Sequence, residues 1–274
     1  QNRGLRPETA YTDTIQVTMS QYHFRSRPLS NAMLDEMDLQ RSLAFYKDRF
    51  ADASDFTFIF VGNFEPEKMK SLVETYLGGL PSLNRNETWR DVGSKPPKGV
   101  IKKTVKRGQE PKSRTQLVFT GAFDWDDRFK RYVFDSMGDI LQIKLREVLR
   151  EDEGGTYGVG VRTTRSRWPE GSYRTTISFG CDPERLEELT QLVFVQIDSM
   201  KQALVDQSYL DKITERAIRS RETNLKENSY WRNTLRWYSQ NEKDLHDWLT
   251  HEDEVVKKLT VEDVQKATQQ YFNM

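Results

Sequence analysis

The sequence predicts an α+β fold in which an antiparallel sheet is covered by helices, and three observations indicate it. Short runs rich in β-branched and aromatic residues, such as 115–120 and 171–180, have the composition of strands. Longer segments carry apolar residues at the spacing of amphipathic helices. From residue 99 onward, these patterns follow the order β-β-α-β-β-α-α, which is typical of an antiparallel sheet packed against helices.

Residues 1–84 are predicted to form a separate helix-strand-helix region. Its predicted elements are a strand at 14–19, a helix at 31–50, a strand at 55–61 and a helix at 65–77. The second strand contains the apolar run FTFIFV, and Pro66 between two glutamates is a helix start signal. The last helix ends where Gly78-Gly79 interrupts the pattern.

Residues 85–98 are predicted to be a linker, because this stretch is polar and contains Gly93 and the pair Pro96-Pro97. Residues 99–274 then form a C-terminal α+β domain. Its predicted strands lie at 100–105, 115–120, from 157 onward and at 171–180, and its predicted helices lie at 127–150, 183–203, 209–226 and 261–272.

The stretch 144–166 brings two side chains with binding chemistry to the same turn. Arg150 lies in the last predicted helical turn, Gly154-Gly155 stops the helix, and Tyr157 begins the next strand. A guanidinium offers a charged fork of donors and a phenol offers one O–H donor, so the two can hold a peptide carbonyl. An alternative without a binding role stays open, since arginine stabilises a helix C-terminus and tyrosine favours strands.

The composition argues against several classes of protein. Lys and Arg number 42 and Asp and Glu also number 42, so the formal net charge is zero, whereas nucleic-acid-binding domains display a basic face. The sequence contains no run of roughly 18 apolar residues that would predict a membrane-spanning helix. Cys181 is the only cysteine, so a disulfide within the sequence is excluded.

The sequence predicts no metal site in this chain. It contains three histidines: His23, His246 and His251. The last two are five residues apart, which places them on different faces of a helix, so they do not share a metal as a four-residue spacing allows. No His-x-x-Glu-His motif is present.

Two further features have alternative interpretations. The acidic cluster Glu147, Glu151, Asp152 and Glu153 is interpreted as solvated surface, with a cation site as the alternative. Apolar and polar residues alternate along the strand within Ser172–Gly180. This open alternation suggests the hypothesis that the strand lies at a sheet edge and accepts a peptide by strand addition.

The segment from Asp38 to Pro81, DLQRSLAFYKDRFADASDFTFIFVGNFEPEKMKSLVETYLGGLP, resembles the segment that joins the paired domains of insulinase-type zinc metallopeptidases, which include pitrilysin and mitochondrial processing peptidase. The later segment LREDEGGTYGV is similar to a family pattern in which a helix ending in Arg-Glu precedes a glycine turn and a tyrosine. The resemblance covers nearly the whole chain. It implies that 1–84 is the tail of a preceding domain and that 99–274 is a LuxS/processing-peptidase-like half of a metalloprotease.

The resemblance also implies a function. The chain is expected to be the C-terminal, substrate-binding half of a zinc metalloendopeptidase that hydrolyses peptides. Arg150 and Tyr157 are expected to be its catalytic pair, holding the substrate carbonyl and stabilising the oxyanion. Zinc is expected to be bound by a His-x-x-Glu-His motif in a missing N-terminal half, in the same polypeptide or as a separate subunit, so this chain alone is predicted to be inactive.

A second function is consistent with the same resemblance. Family members without the zinc motif serve as non-catalytic scaffolds or peptide-binding partner subunits. A retained Arg–Tyr pair favours the peptidase, because a scaffold needs neither group. The relatives that the sequence resembles indicate a bacterial periplasm or cell envelope as the expected location.

Overall fold

The computed structural model describes residues 6–152 and 156–272, and of residues 150–152, 156 and 157 it describes the backbone alone. Within these residues, four α-helices precede the first strand and five follow the last, so helices and strands are largely segregated along the chain, as in an α+β fold. The α-helices are α1 (Pro7–Met19), α2 (Asn31–Asp35), α3 (Leu39–Arg49), α4 (Pro66–Tyr76), α5 (Arg128–Arg146), α6 (Leu186–Gln202), α7 (Gln207–Asn224), α8 (Asn228–Asn241), α9 (Leu245–Lys257) and α10 (Val261–Tyr271).

The described strands form one three-stranded antiparallel sheet. They are β1 (Ser113–Ala122), β2 (Thr156–Ser166) and β3 (Ser172–Cys181), in the spatial order β1-β3-β2. The register pairs Ser113 with Cys181 in β1 and β3, and Ser166 with Ser172 at the hairpin between β2 and β3. The predicted fold class, an antiparallel sheet covered by helices, is confirmed.

The chain forms two compact units. The first comprises Gln1–Tyr11, Lys98–Glu222 and His246–Met274, and the second comprises Thr12–Pro97 and Thr223–Leu245. The domain boundaries that the sequence suggests, with 85–98 as a linker, stay a prediction.

The core of the first unit lies between one face of the sheet and helices α5, α6 and α10. Alternate residues of β3, from Tyr173 to Cys181, are buried on that face, while Arg174 on the opposite face is exposed. The aromatic rings of Phe123, Phe134 and Tyr173 join that of Tyr271 in a cluster with centroids 4.9–5.5 Å apart. Removal of this apolar surface from water is the main contribution to the stability of the unit.

Several predicted strands are absent from the described structure. Residues 14–19 belong to α1, which begins with Pro7 at its first position and Glu8 in its first turn, and these start signals outweigh the β-branched residues that follow. Residues 55–61 and 100–105 are not paired with another strand in the part of the chain that the structure describes. A run with strand composition needs a neighbour to satisfy its backbone hydrogen bonds, so composition alone does not make it a strand.

Two other predictions are corrected. The hypothesis that the strand at Ser172–Gly180 lies at a sheet edge is wrong, because β3 lies between β1 and β2 and both of its backbone edges are paired. The predicted helix at 31–50 is instead two helices, and the second begins where the side chain of Asp38 accepts a hydrogen bond of 2.9 Å from the backbone N–H of Arg41.

In the second unit, a buried carboxylate joins two loops. Asp52 accepts backbone N–H hydrogen bonds from Ser54 (3.0 Å), Leu83 (2.8 Å) and Arg85 (2.7 Å). Burial alone would raise the pKa of Asp52, but the three donors outweigh it and hold this pKa below its usual range. The carboxylate therefore stays ionised and fixes the path of the chain on either side of α4.

The second unit also exposes large apolar side chains. We call these residues the apolar surface of the second unit: Leu39, Phe45, Tyr46, Phe50, Phe56, Phe58, Phe60, Leu72 and Tyr76. Their exposed fractions range from 37% to 78%, and neither α3 nor α4 has a buried residue. Ring contacts join Tyr46, Phe50, Phe56 and Phe58 into one exposed apolar patch, and such a patch is typical of a surface that another protein element covers.

Candidate functional site

Helix α5 is the element that carries the predicted Arg–Tyr turn. Its first turn is capped by Asp127, whose side chain accepts a hydrogen bond of 2.9 Å from the backbone N–H of Lys130. One side of the helix is buried from Val133 to Leu145, so the helix is held against the core from its second turn to its end. The end of α5 is therefore held in place before the turn begins.

Arg150 lies in a π-helix. The α-helical hydrogen bonding ends at Arg146, and the segment Glu147–Asp152 continues as a single turn of π-helix. The prediction of a helix extending to Arg150 is thus confirmed for the backbone, but the last turn is wider than expected. Such turns change the direction in which the following side chains project, and they occur frequently at functional sites.

Tyr157 lies at a β-bulge. Thr156 is paired with Cys181 and Gly158 with Gly180, so two steps along β2 correspond to one step along β3. Tyr157 is the extra residue. Bulges change the direction of a side chain and are over-represented beside active sites.

The predicted pair is therefore brought to two backbone irregularities on either side of one turn. Residues 153–155 of this turn lie outside the described residues, as do the side chains of Arg150 and Tyr157. The geometry of the two functional groups and their roles stay a prediction.

A stripe along α5 packs on β2 and aligns the two elements. Asp135, Gly138 and Gln142 follow each other at three- and four-residue spacing, which places them on one face of the helix. Asp135 accepts a hydrogen bond of 3.0 Å from Thr163 Oγ1 and forms an ion pair of 2.7 Å with Arg165. A Cβ on Gly138 would lie 2.5 Å from Thr163 Cγ2, so this glycine permits the close approach of helix and strand.

Arginine side chains balance the charges of two carboxylates on α5, Asp135 and Asp139. Burial raises the pKa of Asp135, and the neighbouring Arg165 opposes this shift through its charge and its hydrogen bond. Asp135 lines a small cleft between α5 and α7. Asp139 lines the same cleft and forms an ion pair with Arg216 of α7. Both carboxylates therefore have a cationic partner within the protein.

Tyr209 of α7 anchors the first residue of the π-helix. Its Oη donates a hydrogen bond of 2.6 Å to Glu147 Oε2, and Lys144 Nζ lies 5.2 Å from the centre of the tyrosine ring. The hydrogen bond to Glu147 and burial raise the pKa of Tyr209 to about 12. Glu147 thus has a protein partner, whereas the side chains of Glu151 and Asp152 and the whole of Glu153 lie outside the description.

The anchor predicts a change in the alkaline titration. Because the pKa of Tyr209 is raised in the folded protein, its stabilising contribution is complete below about pH 10, the pKa of an unfolded tyrosine. It is lost as the pH rises towards about 12. Subtracting the tyrosinate absorbance curve of Tyr209→Phe from that of the wild type should leave one tyrosine that titrates near pH 12. A difference curve centred near pH 10, or one indistinguishable from that of the exposed control Tyr76→Phe, would contradict the anchor.

Sequence reasoning missed both Gln142 and Tyr209. A glutamine within a buried helical stripe was the available signal for the first. No local signal indicates the second, because Tyr209 and Glu147 are 62 residues apart.

The described residues offer no zinc site. No group of three or more His, Cys, Asp or Glu side chains in the described ranges is placed to hold a metal ion. The Nδ1 of His251 lies 2.8 Å from Thr250 Oγ1 and 3.1 Å from Asp247 Oδ1. Among the same residues, no helix combines the length and the hydropathy that crossing a membrane requires.

Comparison with known proteins identifies relatives over most of the chain. Residues 36–216 match the family described as "Peptidase M16 inactive domain". The chain is 29% identical over 209 residues to the probable zinc protease PqqL of Haemophilus influenzae, covering 75% of this chain and 20% of that protein. It is 25% identical over 244 residues to the zinc protease PQQL-like of Arabidopsis thaliana, covering 84% of this chain and 25% of that protein.

Solved structures show the same fold. The periplasmic protease PqqL from Escherichia coli superimposes with a TM-score of 0.80 at 20% identity, over 98% of this chain and 30% of that one. A peptidase M16 inactive domain from Pseudomonas fluorescens superimposes with a TM-score of 0.68 at 18% identity, over 99% of this chain and 64% of that one.

The chain spans about a fifth to a quarter of the length of the curated relatives it matches. The family match covers more than half of the present sequence and includes both Arg150 and Tyr157. The resemblance to insulinase- and pitrilysin-type zinc peptidases that the sequence suggested is confirmed, and the chain belongs to the peptidase M16 inactive-domain family.

Proposed function

We propose that this chain is the C-terminal, substrate-binding half of a zinc-dependent metalloendopeptidase that hydrolyses peptides. Its relatives in Haemophilus influenzae and Arabidopsis thaliana are named zinc proteases and are four to five times as long as the matched region. The zinc motif would lie in an N-terminal half, in the same polypeptide or in a separate subunit.

The observation that carries this proposal is the coincidence of two irregularities at one turn. Arg150 lies in a π-helix and Tyr157 at a β-bulge, although regular α-helix and regular strand would be the default for both segments. Irregular backbone of this kind is retained where a side chain must project in a specific direction. Two independent backbone irregularities at the two predicted functional residues favour a binding role over a helix-end cation and a strand-forming aromatic.

Each residue has a defined role in the proposal. The guanidinium of Arg150 binds the substrate carbonyl through two N–H donors and holds the peptide backbone in place. The O–H of Tyr157 donates to the oxygen on which negative charge develops during attack. The chemistry that zinc supplies in such peptidases is activation of the attacking water, and the described residues of this chain include no group of three or more His, Cys, Asp or Glu placed to hold it.

The apolar surface of the second unit favours the presence of a further protein element that covers it. We propose that 1–84 is the tail of a preceding domain whose remaining elements pack on Phe56, Phe58 and Phe60, which are 37–48% exposed. The solved relative from Escherichia coli is described as periplasmic, and its first half has been solved separately. We propose the periplasm as the location of this protein as well.

A second candidate is a non-catalytic subunit that binds peptides or stabilises an assembly. The family description "inactive domain" favours it, as does the lack of a His-x-x-Glu-His motif in the sequence. In this case the protein would act beside a zinc-bearing partner without contributing to turnover.

The test starts from the native protein, whose intact mass and zinc content are measured after purification from its source. The zinc-bearing half is then produced with and without this chain, and both preparations are assayed for peptide hydrolysis. The peptidase proposal predicts that zinc-dependent hydrolysis needs this chain and that the chain alone has none. Full activity of the zinc-bearing half by itself would overturn the proposal in favour of the non-catalytic subunit.

A further inference from the structure

Gln142 of α5 makes two hydrogen bonds to the backbone of β2. Its Nε2 donates to the carbonyl oxygen of Val159 at 2.9 Å, and its Oε1 accepts from the N–H of Val161 at 2.5 Å. One side-chain amide thus occupies the place that a peptide group of a neighbouring strand would take. Both bonds lie on the edge of β2 that faces away from β3.

The bonds fix the position of the helix along the strand. In an antiparallel sheet, successive residues direct their N–H and C=O groups alternately towards the neighbouring strand and away from it. If α5 moved by one residue along β2, Gln142 would meet groups that are already bonded to β3. The hydrophobic effect between the two elements is non-directional and by itself selects no register, whereas these two hydrogen bonds do.

Gln142 is the contact of the stripe that lies nearest the turn. Along α5, Asp135 and Gly138 meet β2 at Thr163, and Gln142 meets it at Val159 and Val161. The helix and the strand are therefore antiparallel: α5 leads into the turn and β2 leads away from it.

The bonded amide stands close to both predicted functional residues in the chain. Arg150 follows eight residues after Gln142, and Tyr157 precedes Val159 by two. Between the two, the described backbone is irregular on each side of the turn. A directional contact placed just before these irregularities fixes the register in which the helix and the strand meet the turn.

The structure assigns to Gln142 the role of a positioning residue that sets the spacing between Arg150 and Tyr157. This inference rests on the proposed function, because it concerns the geometry of the same pair. Gln142 touches no substrate and acts through the strand that carries Tyr157.

Packing alone does not require a glutamine at this position. Two neighbouring residues of the helix, Leu141 and Leu145, point into the core and are fully buried. Methionine has nearly the same length and would fill the site without the desolvation of an amide. Two backbone hydrogen bonds from one half-buried side chain give the glutamine its specific use.

The test is a double-mutant cycle in the full zinc peptidase. The variants are Gln142→Met, which keeps the length and removes both hydrogen bonds, Tyr157→Phe, and the two combined. Gln269→Met is the matched control, because Gln269 also donates from a helix to a backbone carbonyl, that of Lys201, at 2.8 Å on another part of the first unit. Each variant is assayed for kcat and KM separately on one peptide.

We expect Gln142→Met to lower kcat roughly 10- to 100-fold with little change in KM, since small displacements of a catalytic group have effects of that size. The combined variant should be no slower than Tyr157→Phe alone, because Gln142 acts through Tyr157. Gln269→Met should have the wild-type kcat. If Gln142→Met does not fold, Gln142→Glu replaces it in the cycle, since the carboxylate retains the bond to Val161 and opposes the carbonyl of Val159.

Two results would overturn the role of Gln142 while leaving the proposed function standing. One is a wild-type kcat in Gln142→Met beside a reduced kcat in Tyr157→Phe, and the other is a combined variant whose losses multiply. A wild-type kcat together with a wild-type KM in Tyr157→Phe is a different outcome, which overturns the proposed role of the Arg150–Tyr157 pair and the role of Gln142 with it.

Discussion

Replacing Tyr157 with Phe in the assembled zinc peptidase is expected to lower kcat by about 10²- to 10³-fold, the usual effect of removing one oxyanion donor. The substitution removes a single O–H and leaves the ring, so the strand and its bulge should persist. An interaction made only as charge develops on the carbonyl oxygen contributes to kcat and not to ground-state binding. KM should therefore change little.

The measurement is steady-state hydrolysis of one peptide by the wild type, by Tyr157→Phe and by a matched control. Tyr22→Phe is a suitable control, because Tyr22 is 67% exposed and lies in the second unit. A loss that appears entirely in KM would assign Tyr157 to peptide binding in the ground state. A wild-type kcat and KM would exclude Tyr157 from the reaction.

The sequence predicts the first unit better than the second for a physical reason. Strands β1 and β3 and helices α6, α7 and α10 were predicted within a few residues, because one face of each packs on a core inside this chain. The alternation along Ser172–Gly180 is strong since every second side chain of β3 enters that core. Local pattern and tertiary packing agree there.

Pairing partners are not encoded in local patterns. Residues 56–61 have the composition of a strand, yet no neighbour pairs with them in the described chain, so they form no strand there, and Phe56, Phe58 and Phe60 are exposed. The same limit explains why β3 was expected at an edge, because alternation reports one buried face and not the number of neighbouring strands. Residues 14–19 show the opposite case, in which helix start signals at Pro7 decide the conformation of a β-branched segment.

The candidate site was predicted by residue identity and not by its geometry. Arg150, Gly154-Gly155 and Tyr157 can be read from the sequence with the turn between them. The π-helix and the bulge cannot, because each inserts a residue into a regular hydrogen-bond pattern that many sequences share. Contacts from distant residues accompany the irregularity, as the bond from Tyr209 to the start of the π-helix shows.

Replacing Phe134 with Ala is expected to cost about 3–5 kcal/mol of unfolding free energy in the first unit. Phe134 is fully buried on α5, and its ring centre lies 5.3 Å from that of Phe123, 5.5 Å from that of Tyr173 and 4.9 Å from that of Tyr271. Alanine removes the ring contacts and leaves a cavity that a sheet and two helices cannot close. The loss combines lost apolar burial with lost aromatic pairing.

Native-state hydrogen exchange of β3 measures this loss in the unit where it occurs, because the most protected amides of a core strand report global opening. Leu204→Ala is the control, since Leu204 is 49% exposed, and a surface substitution of this kind should change the free energy by less than about 0.5 kcal/mol. Equal protection of β3 in both variants would show that the aromatic cluster is not the centre of this core. A selective loss in Phe134→Ala would show that α5 and β3 are held by one cluster. That cluster fixes α5 upstream of the π-helix that contains Arg150. The backbone position of Arg150 therefore depends on packing about four helical turns away.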